Sequence, residues 1–158
     1  MDWRLGVSKQ DAQAPPPKPD PALANLSLQI SVVFSVLSVI TFAVAPSIDR
    51  VYSVISAILF IAGTFILGLG FWNGIQRSRV DDVRLAGLLA VDKSFVPAAI
   101  RNRLWAAVVL QIVVSFTFAA LRPITEQAFG TLVPTLGIGF AVLWGSRFAQ
   151  FHKRDDRR

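Results

Sequence analysis

The chain contains no cysteine, a single histidine and no recognisable phosphate-binding loop. The lack of cysteine excludes disulfides, thiolate catalysis and cysteine-ligated metals. His152 lies in a basic tail, without the partners that a histidine metal site needs. The paired glycines Gly68 and Gly70 lie inside an apolar run, where glycine serves helix packing. We therefore expect no enzyme activity, no catalytic residue, no cofactor and no metal ligand.

Four apolar runs dominate the sequence, and none of them contains Asp, Glu, Lys or Arg. An α-helix needs about 20 residues to cross a bilayer core about 30 Å thick, and each run has 18 or more. The sequence therefore predicts an all-α fold, a four-helix transmembrane bundle. The predicted spans are 26–45, 51–72, 104–121 and 129–146.

The segments outside the runs divide the chain further. Residues 1–20 are polar and Pro-rich, which predicts a disordered cytoplasmic tail before a membrane domain at 21–149. Residues 150–158 form a basic cytoplasmic tail. The central connection at 73–103 is long, and apolar residues recur at helical spacing within 80–91. That spacing predicts a short helix on the cytoplasmic surface.

The basic residues predict the orientation of the spans. Fourteen of the sixteen Lys and Arg lie in the N-terminal tail, around the central connection or at the C-terminal end from Arg147 onward, and only Arg50 and Arg122 lie in the two short connections. The positive-inside rule then places both termini in the cytoplasm. The short connections at 46–50 and 122–128 predict that consecutive helices pair as two antiparallel hairpins. Three tryptophans near the same ends predict a cytoplasmic aromatic belt: Trp72, Trp105 and Trp144.

Small and polar side chains recur at helical spacing within the runs. They allow two interpretations: a hydrophilic path, or helix packing in which small residues let backbones approach and Ser or Gln hydrogen bonds join helices. Packing is favoured, because no run holds the ionisable residue that coupled transport needs. Leu143 lies off these stripes and is expected to face lipid. The candidate packing or path-lining residues are Ser31, Ser35, Gln111, Ser115, Gly137, Ala141 and Gly145.

Charged residues beside the membrane are candidates for contacts outside the bundle. Basic side chains near a membrane attract anionic lipid headgroups, and an acidic partner protein would use the same residues. Nucleic acid is not an expected partner, because the charges flank membrane spans. Asp49 and Glu126 are expected to meet at the outer face in a structural ion pair with a neighbouring Arg. The candidate lipid or partner contacts are Arg101, Arg103, Arg147, Lys153 and Arg154.

The segment FGTLVPTLGIGFAVLWGSRFAQF at 129–151, with LRPIT at 121–125, resembles the end of small four-helix integral membrane proteins of actinobacteria. Most of those proteins have no assigned activity. The resemblance implies a location in a bacterial plasma membrane and carries over no functional residue. The chain lacks the acidic first-helix residue of small multidrug exporters, and it does not match the central Asn and Phe pattern of fluoride channels.

These features favour a non-catalytic accessory, assembly or scaffold subunit of a larger plasma-membrane complex. Its expected partners are membrane lipids and other membrane proteins or further copies of itself. The alternative is a small homo-oligomeric pore, transporter or lipid-handling protein. The accessory hypothesis rests on the lack of an ionisable residue in the spans, of a cofactor ligand and of a soluble domain.

The predicted orientation can be tested by cysteine labelling. We expect Ser47→Cys to react with a membrane-impermeant thiol reagent added to intact cells, and Ser94→Cys to react only after the membrane is opened. The native chain has no cysteine to add background. Labelling of Ser94→Cys in intact cells, without labelling of Ser47→Cys, would invert the topology.

Overall fold

A computed structural model describes most of the chain as helix. The Pro-rich tail up to residue 18 and the basic tail after residue 151 lie outside the described residues, as do residues 80–82 of the expected surface helix. The described residues are 19–44, 49–79, 83–94, 96–122, 125–149 and 151.

The described residues form five α-helices and one 3₁₀ segment, and no strand occurs among them. Four stretches are long and apolar enough to cross a membrane: Ala22–Ala43, Asp49–Arg77, Ala98–Leu121 and Gln127–Phe148. The prediction of an all-helical protein with four membrane-spanning segments is confirmed at this level. The helices are α1 (Ala22–Val44), α2 (Asp49–Arg77), α3 (Leu85–Leu88), α4 (Ala98–Leu121) and α5 (Pro134–Phe148), with the 3₁₀ segment Glu126–Leu132 before α5.

Three helices extend beyond the predicted spans at their polar ends. A side-chain cap starts α1, because Asp20 Oδ1 accepts the Ala22 N–H at 2.8 Å. Pro97 precedes α4, and that helix then continues through Arg101 and Arg103 into the apolar run. Charged residues outside the apolar core do not end a helix, so runs defined by the absence of charge underestimate helix length.

The fourth span is composite, whereas the sequence predicts one continuous helix at 129–146. It begins as the 3₁₀ segment and becomes α5 at Pro134, the first helical position. Proline has no N–H to donate and fits the first turn of a helix, so the α-helix starts there. The 15 residues of α5 span about 22 Å, and the 3₁₀ segment adds about 14 Å.

The first two spans do not pair with each other as predicted. The main partner of α2 is α5 and that of α1 is α4, while α1 and α2 touch at few points. Both main pairs run parallel: contacts from α1 to α4 advance along both helices in the same direction. The expectation of a hairpin of α1 with α2 is therefore not met, whereas α4 does contact the 3₁₀ segment and α5 of the following span, as the expected second hairpin requires. The contacts that show this direction are Asn25 with Arg103, Ser31 with Gln111, and Phe42 with Phe118.

Glycines on one face of α2 explain its pairing with α5. A Cβ atom on Gly63 would lie 2.6 Å from the Leu136 Cα, and one on Gly70 would lie 2.8 Å from the Leu143 nitrogen. Real Cβ atoms do not approach a backbone so closely, so only glycine permits this spacing. Backbone-to-backbone packing of this kind is typical of membrane helices, which gain little from the hydrophobic effect between them.

The fourth span occupies the centre of the molecule. Within the chain 67% of it is buried, against 17–28% of the other three. The prediction that Leu143 faces lipid is wrong: this side chain is 6% exposed. Trp144 is fully buried and its Nε1 donates to the Asp20 carbonyl at 2.9 Å, so it does not belong to an aromatic belt. Trp72 is 61% exposed.

The predicted surface helix is a single turn, α3, wedged against the bundle. The α3 turn packs on α5, where its carbonyl groups approach Gly145. It ends at Leu88; Ala90, two residues further on, has a left-handed φ of 53°, and the Val91 N–H donates to the Ala86 carbonyl at 2.9 Å. Such a left-handed cap closes a helix, which is why the apolar spacing does not continue as one.

Two glycines of α2 give a matched test of the packing. We expect Gly63→Ala to lower the thermal stability of the purified protein in mild detergent, because the new Cβ meets the α5 backbone and overpacking costs ~1–3 kcal/mol. The control is Gly68→Ala on the same helix, where a Cβ meets nothing within 4 Å. It should be neutral or stabilising, by up to ~1 kcal/mol. Equal unfolding temperatures for the two variants would contradict the α2–α5 contact.

Candidate functional site

A buried polar cluster joins three of the spans. Gln111 is fully buried on α4, and its Nε2 donates to Ser31 Oγ on α1 at 2.8 Å. Its Oε1 accepts the N–H of Gly137, in the first turn of α5, at 3.2 Å. Ser31 in turn donates to the Ser27 carbonyl at 2.7 Å. Both ends of the Gln111 amide are thus used in contacts between helices.

Shape reinforces this cluster, because Gly137 lies directly under the Gln111 side chain. A Cβ on Gly137 would lie 2.7 Å from Gln111 Oε1 and 2.9 Å from Val108 Cγ2. The glycine therefore provides both the space for the amide and the N–H that it accepts. Three of the residues singled out in the sequence, Ser31, Gln111 and Gly137, are brought together in this way.

The other four candidates lie outside the cluster. Ser35 is half-buried and donates to the Ser31 carbonyl at 2.7 Å, within its own helix. Ser115 is fully buried, and its hydroxyl has no hydrogen-bond partner among the described residues. Ala141 is buried on α5. Gly145 packs against the α3 turn at the far end of the helix.

The basic candidates that the structure describes have different surroundings. Arg103 Nη1 donates to Asn25 Oδ1 at 2.7 Å and so links the starts of α4 and α1. Arg101 is half-buried, and Arg147 is exposed in the last turn of α5. The remaining two candidates, Lys153 and Arg154, lie outside the described residues.

Two arginines that are not among the predicted candidates hydrogen-bond to backbone carbonyls at the ends of other helices. Arg77, in the last turn of α2, donates to the Ser146 carbonyl at 3.2 Å and lies 5.0 Å from the centre of the Phe151 ring. At the opposite end of the bundle, Arg122 donates to the Phe42 carbonyl at 3.0 Å and lies 4.6 Å from the centre of the Phe42 ring. Their positions at the ends of apolar runs were the available signal.

A second polar cluster, also absent from the sequence prediction, lies near the end of α1 and the start of α2. Tyr52 is 1% exposed and stacks on Phe34 with ring centres 5.7 Å apart. Ser38 Oγ lies 3.4 Å from the Tyr52 hydroxyl. The Tyr52 hydroxyl also rests against Gly130 of the 3₁₀ segment, where no side chain would fit. Tyr52 is the only tyrosine in the chain, which was a signal for a special position.

Asp49 pairs with an amide instead of the predicted arginine. Gln127 Nε2 donates to Asp49 Oδ1 at 3.3 Å, and the Asp49 and Gln127 residues are only 8% and 1% exposed. Among the described residues, no hydrogen bond joins Asp49 to Arg50 or Arg122, so the expected ion pair is not observed there. The side chain of Glu126, the other predicted member, lies outside the described residues.

A recess of about 240 Å³ opens where α4 begins, between Lys93, Ser94 and apolar side chains that include Phe148. The Ser94 N–H donates to Asp92 Oδ1 at 2.9 Å, and the hydrogen bonds from Ser94 hold the pKa of the Asp92 carboxyl below its ordinary value. Lys93 and Ser94 are both exposed. The recess is therefore a surface feature of the loop before α4.

The comparisons with known proteins add no assignment. No family model matches the chain, and neither a curated protein nor a solved structure matches it. Among the described residues, no group of three or more His, Asp or Glu side chains could hold a metal ion. The chemistry that the described clusters offer is hydrogen bonding between helices.

The central cluster can be tested at Gln111. We expect Gln111→Leu to stay folded in mild detergent with a lower unfolding temperature, because hydrogen bonds between membrane helices contribute ~0.6–2 kcal/mol. Gln29→Leu is the matched control, since Gln29 is exposed in the same membrane domain. It should be neutral or stabilising. A Gln111→Leu variant as stable as the control would show that the amide does not hold the helices together.

Proposed function

We propose that this protein is a non-catalytic accessory, assembly or scaffold subunit of a larger plasma-membrane complex. In this proposal the four spans form a bundle around α5, with both termini on the cytoplasmic side and anionic lipid at the basic ends of the helices. The bias of Lys and Arg towards the tails and the central connection supports this orientation.

The use of polar groups supports a packing role over a conducting path. Gln111 is the most deeply placed amide of the spans, and both of its ends bond to neighbouring helices. A path-lining amide would instead present a donor or acceptor to water or an ion. The pore hypothesis therefore has less support from the geometry than the subunit hypothesis.

Gly68 is the observation that carries the proposal. The other glycines of α2, Gly63, Gly70 and Gly74, each meet another part of the chain, whereas a Cβ on Gly68 would meet nothing within 4 Å. A glycine inside a helix costs about 1 kcal/mol relative to alanine, and no contact with the described residues offsets that cost. In membrane helices, a small residue on an outer face permits close approach of another helix.

The residues around Gly68 form a continuous seam along α2. All are exposed and, apart from the glycine, apolar, and their spacing alternates between three and four residues as it does in helices that pair along their length. We call this set the α2 seam. It consists of Val51, Val54, Ile58, Ile61, Phe65, Gly68, Trp72 and Ile75.

The test compares two leucine insertions. Gly68→Leu should leave the isolated protein folded, because the site is open, but should reduce recovery of co-purifying membrane proteins by at least about tenfold, which corresponds to about 1.4 kcal/mol. The control is Ala106→Leu, at an exposed position on α4. Recovery would be measured by tagged purification from the native membrane in mild detergent, with quantification of each partner.

The outcomes separate the hypotheses. A defined partner set at constant stoichiometry, lost in Gly68→Leu and kept in Ala106→Leu, would support the subunit proposal. Equal recovery with both variants would show that the α2 seam faces lipid. Recovery of a homo-oligomer alone, with ion flux after reconstitution into liposomes, would favour the pore.

A further inference from the structure

The outer end of the bundle holds a carboxylate that is nearly enclosed. Asp49 is the first residue of α2 and is 8% exposed. Its one described hydrogen bond comes from Gln127 Nε2, at a rather long 3.3 Å. A carboxylate removed from water is strongly disfavoured unless its charge is matched by a partner.

The Gln127 amide leaves a second oxygen unsatisfied at the same place. Gln127 is 1% exposed, and its Oε1 has no hydrogen-bond partner among the described residues. Because Oε1 and Nε2 are bonded to the same carbon atom, Oε1 lies one amide group away from the carboxylate that Nε2 contacts. One end of the Gln127 amide thus contacts a carboxylate, and the oxygen at its other end is a buried acceptor with no partner among the described residues.

The nearby positive groups do not neutralise Asp49. Arg122 is bonded to the Phe42 carbonyl and lies over the Phe42 ring, and Arg50 is exposed. The N-terminus of α2 contributes a favourable but partial charge, equivalent to about half a unit. The described residues thus leave Asp49 without a hydrogen bond to a basic side chain and leave Gln127 with an unused acceptor.

We propose that Asp49 and Gln127 bind a hard cation, with the Asp49 carboxylate and Gln127 Oε1 as protein ligands and water as the remaining ligands. Carboxylate and carbonyl oxygens are the donors that Na⁺, Mg²⁺ and Ca²⁺ prefer. The position at the end of a span, where the Asp49 side chain keeps some exposure, gives water access to complete the coordination.

Cation binding at this place would fasten α2 to the 3₁₀ segment. Gln127 lies in that segment, and Gly130, one 3₁₀ turn further on, packs on Tyr52. Side chains three residues apart project from the same side of a 3₁₀ helix, so the cation and the Tyr52 contact act on one face. The cation would then stabilise the start of the central span.

The test uses thermal unfolding of the full chain in mild detergent, with choline chloride replaced by NaCl, MgCl₂ or CaCl₂ at constant ionic strength. We expect at least one of these cations to raise the unfolding temperature by ~2–8 °C at saturation. Asp49→Asn should abolish the rise but remain folded, because an Asn amide donates to Gln127 Oε1 and accepts from Nε2. The control is Asp20→Asn, at an exposed position where the amide oxygen can still cap α1. This variant should keep the full rise in unfolding temperature.

Gln127→Glu provides an independent test, because a second carboxylate should raise the affinity of the site for the cation. The concentration of cation at half-maximal effect should fall by about tenfold or more, as ligand charge sets affinity in oxygen-ligated sites. A purely structural role of Gln127 would not change that concentration. The proposal is overturned if none of the three cations changes the unfolding temperature of the wild type, or if Asp49→Asn responds as the wild type does.

Discussion

Where α2 meets α5, the two backbones are closer than any residue with a Cβ atom would allow. Gly63 faces the Leu136 backbone, and Gly139 faces the Gly63 carbonyl from the other side. Lipid chains are as apolar as leucine, so membrane helices associate through such close contact instead of through expulsion of water. With α5 held this way on one side, α4, α1 and α3 pack around its other sides, and the last span becomes the centre of the molecule.

Hydrogen bonds between helices add to the close packing that the glycines permit. Gln111 connects α4 to both α1 and α5, and the arginines Arg77 and Arg122 fasten opposite ends of the bundle to backbone carbonyls. Each such bond is modest, at about 0.6 kcal/mol on average within a membrane. These hydrogen bonds help to define which helices are neighbours, because each joins spans that are far apart in sequence. The α2 seam, by contrast, makes no contact with the part of the chain that the structure describes that would account for Gly68.

The sequence predicts the spans and part of the central cluster, but not the order of packing. Length and absence of charge are enough to locate the four spans, and small or polar residues at helical spacing identify Ser31, Gln111 and Gly137. Hydrophobicity cannot separate a buried face from a lipid-facing one. The prediction puts Leu143 against lipid although it is buried, whereas the equally apolar Ile61 is exposed. Asp49 and Gln127 were not paired, because they are 78 residues apart and meet only once the fold exists.

The parallel pairing of α1 with α4 and of α2 with α5 has a consequence for biogenesis. Spans leave the ribosome in order, so α1 and α2 reach the bilayer before either of their main partners has been made. During that interval the glycine face of α2 and the serine face of α1 are turned towards lipid or an insertion factor, since the two helices touch each other at few points. The contacts around α5 can form only once the fourth span has been made, so synthesis of that span completes the packing that the structure shows.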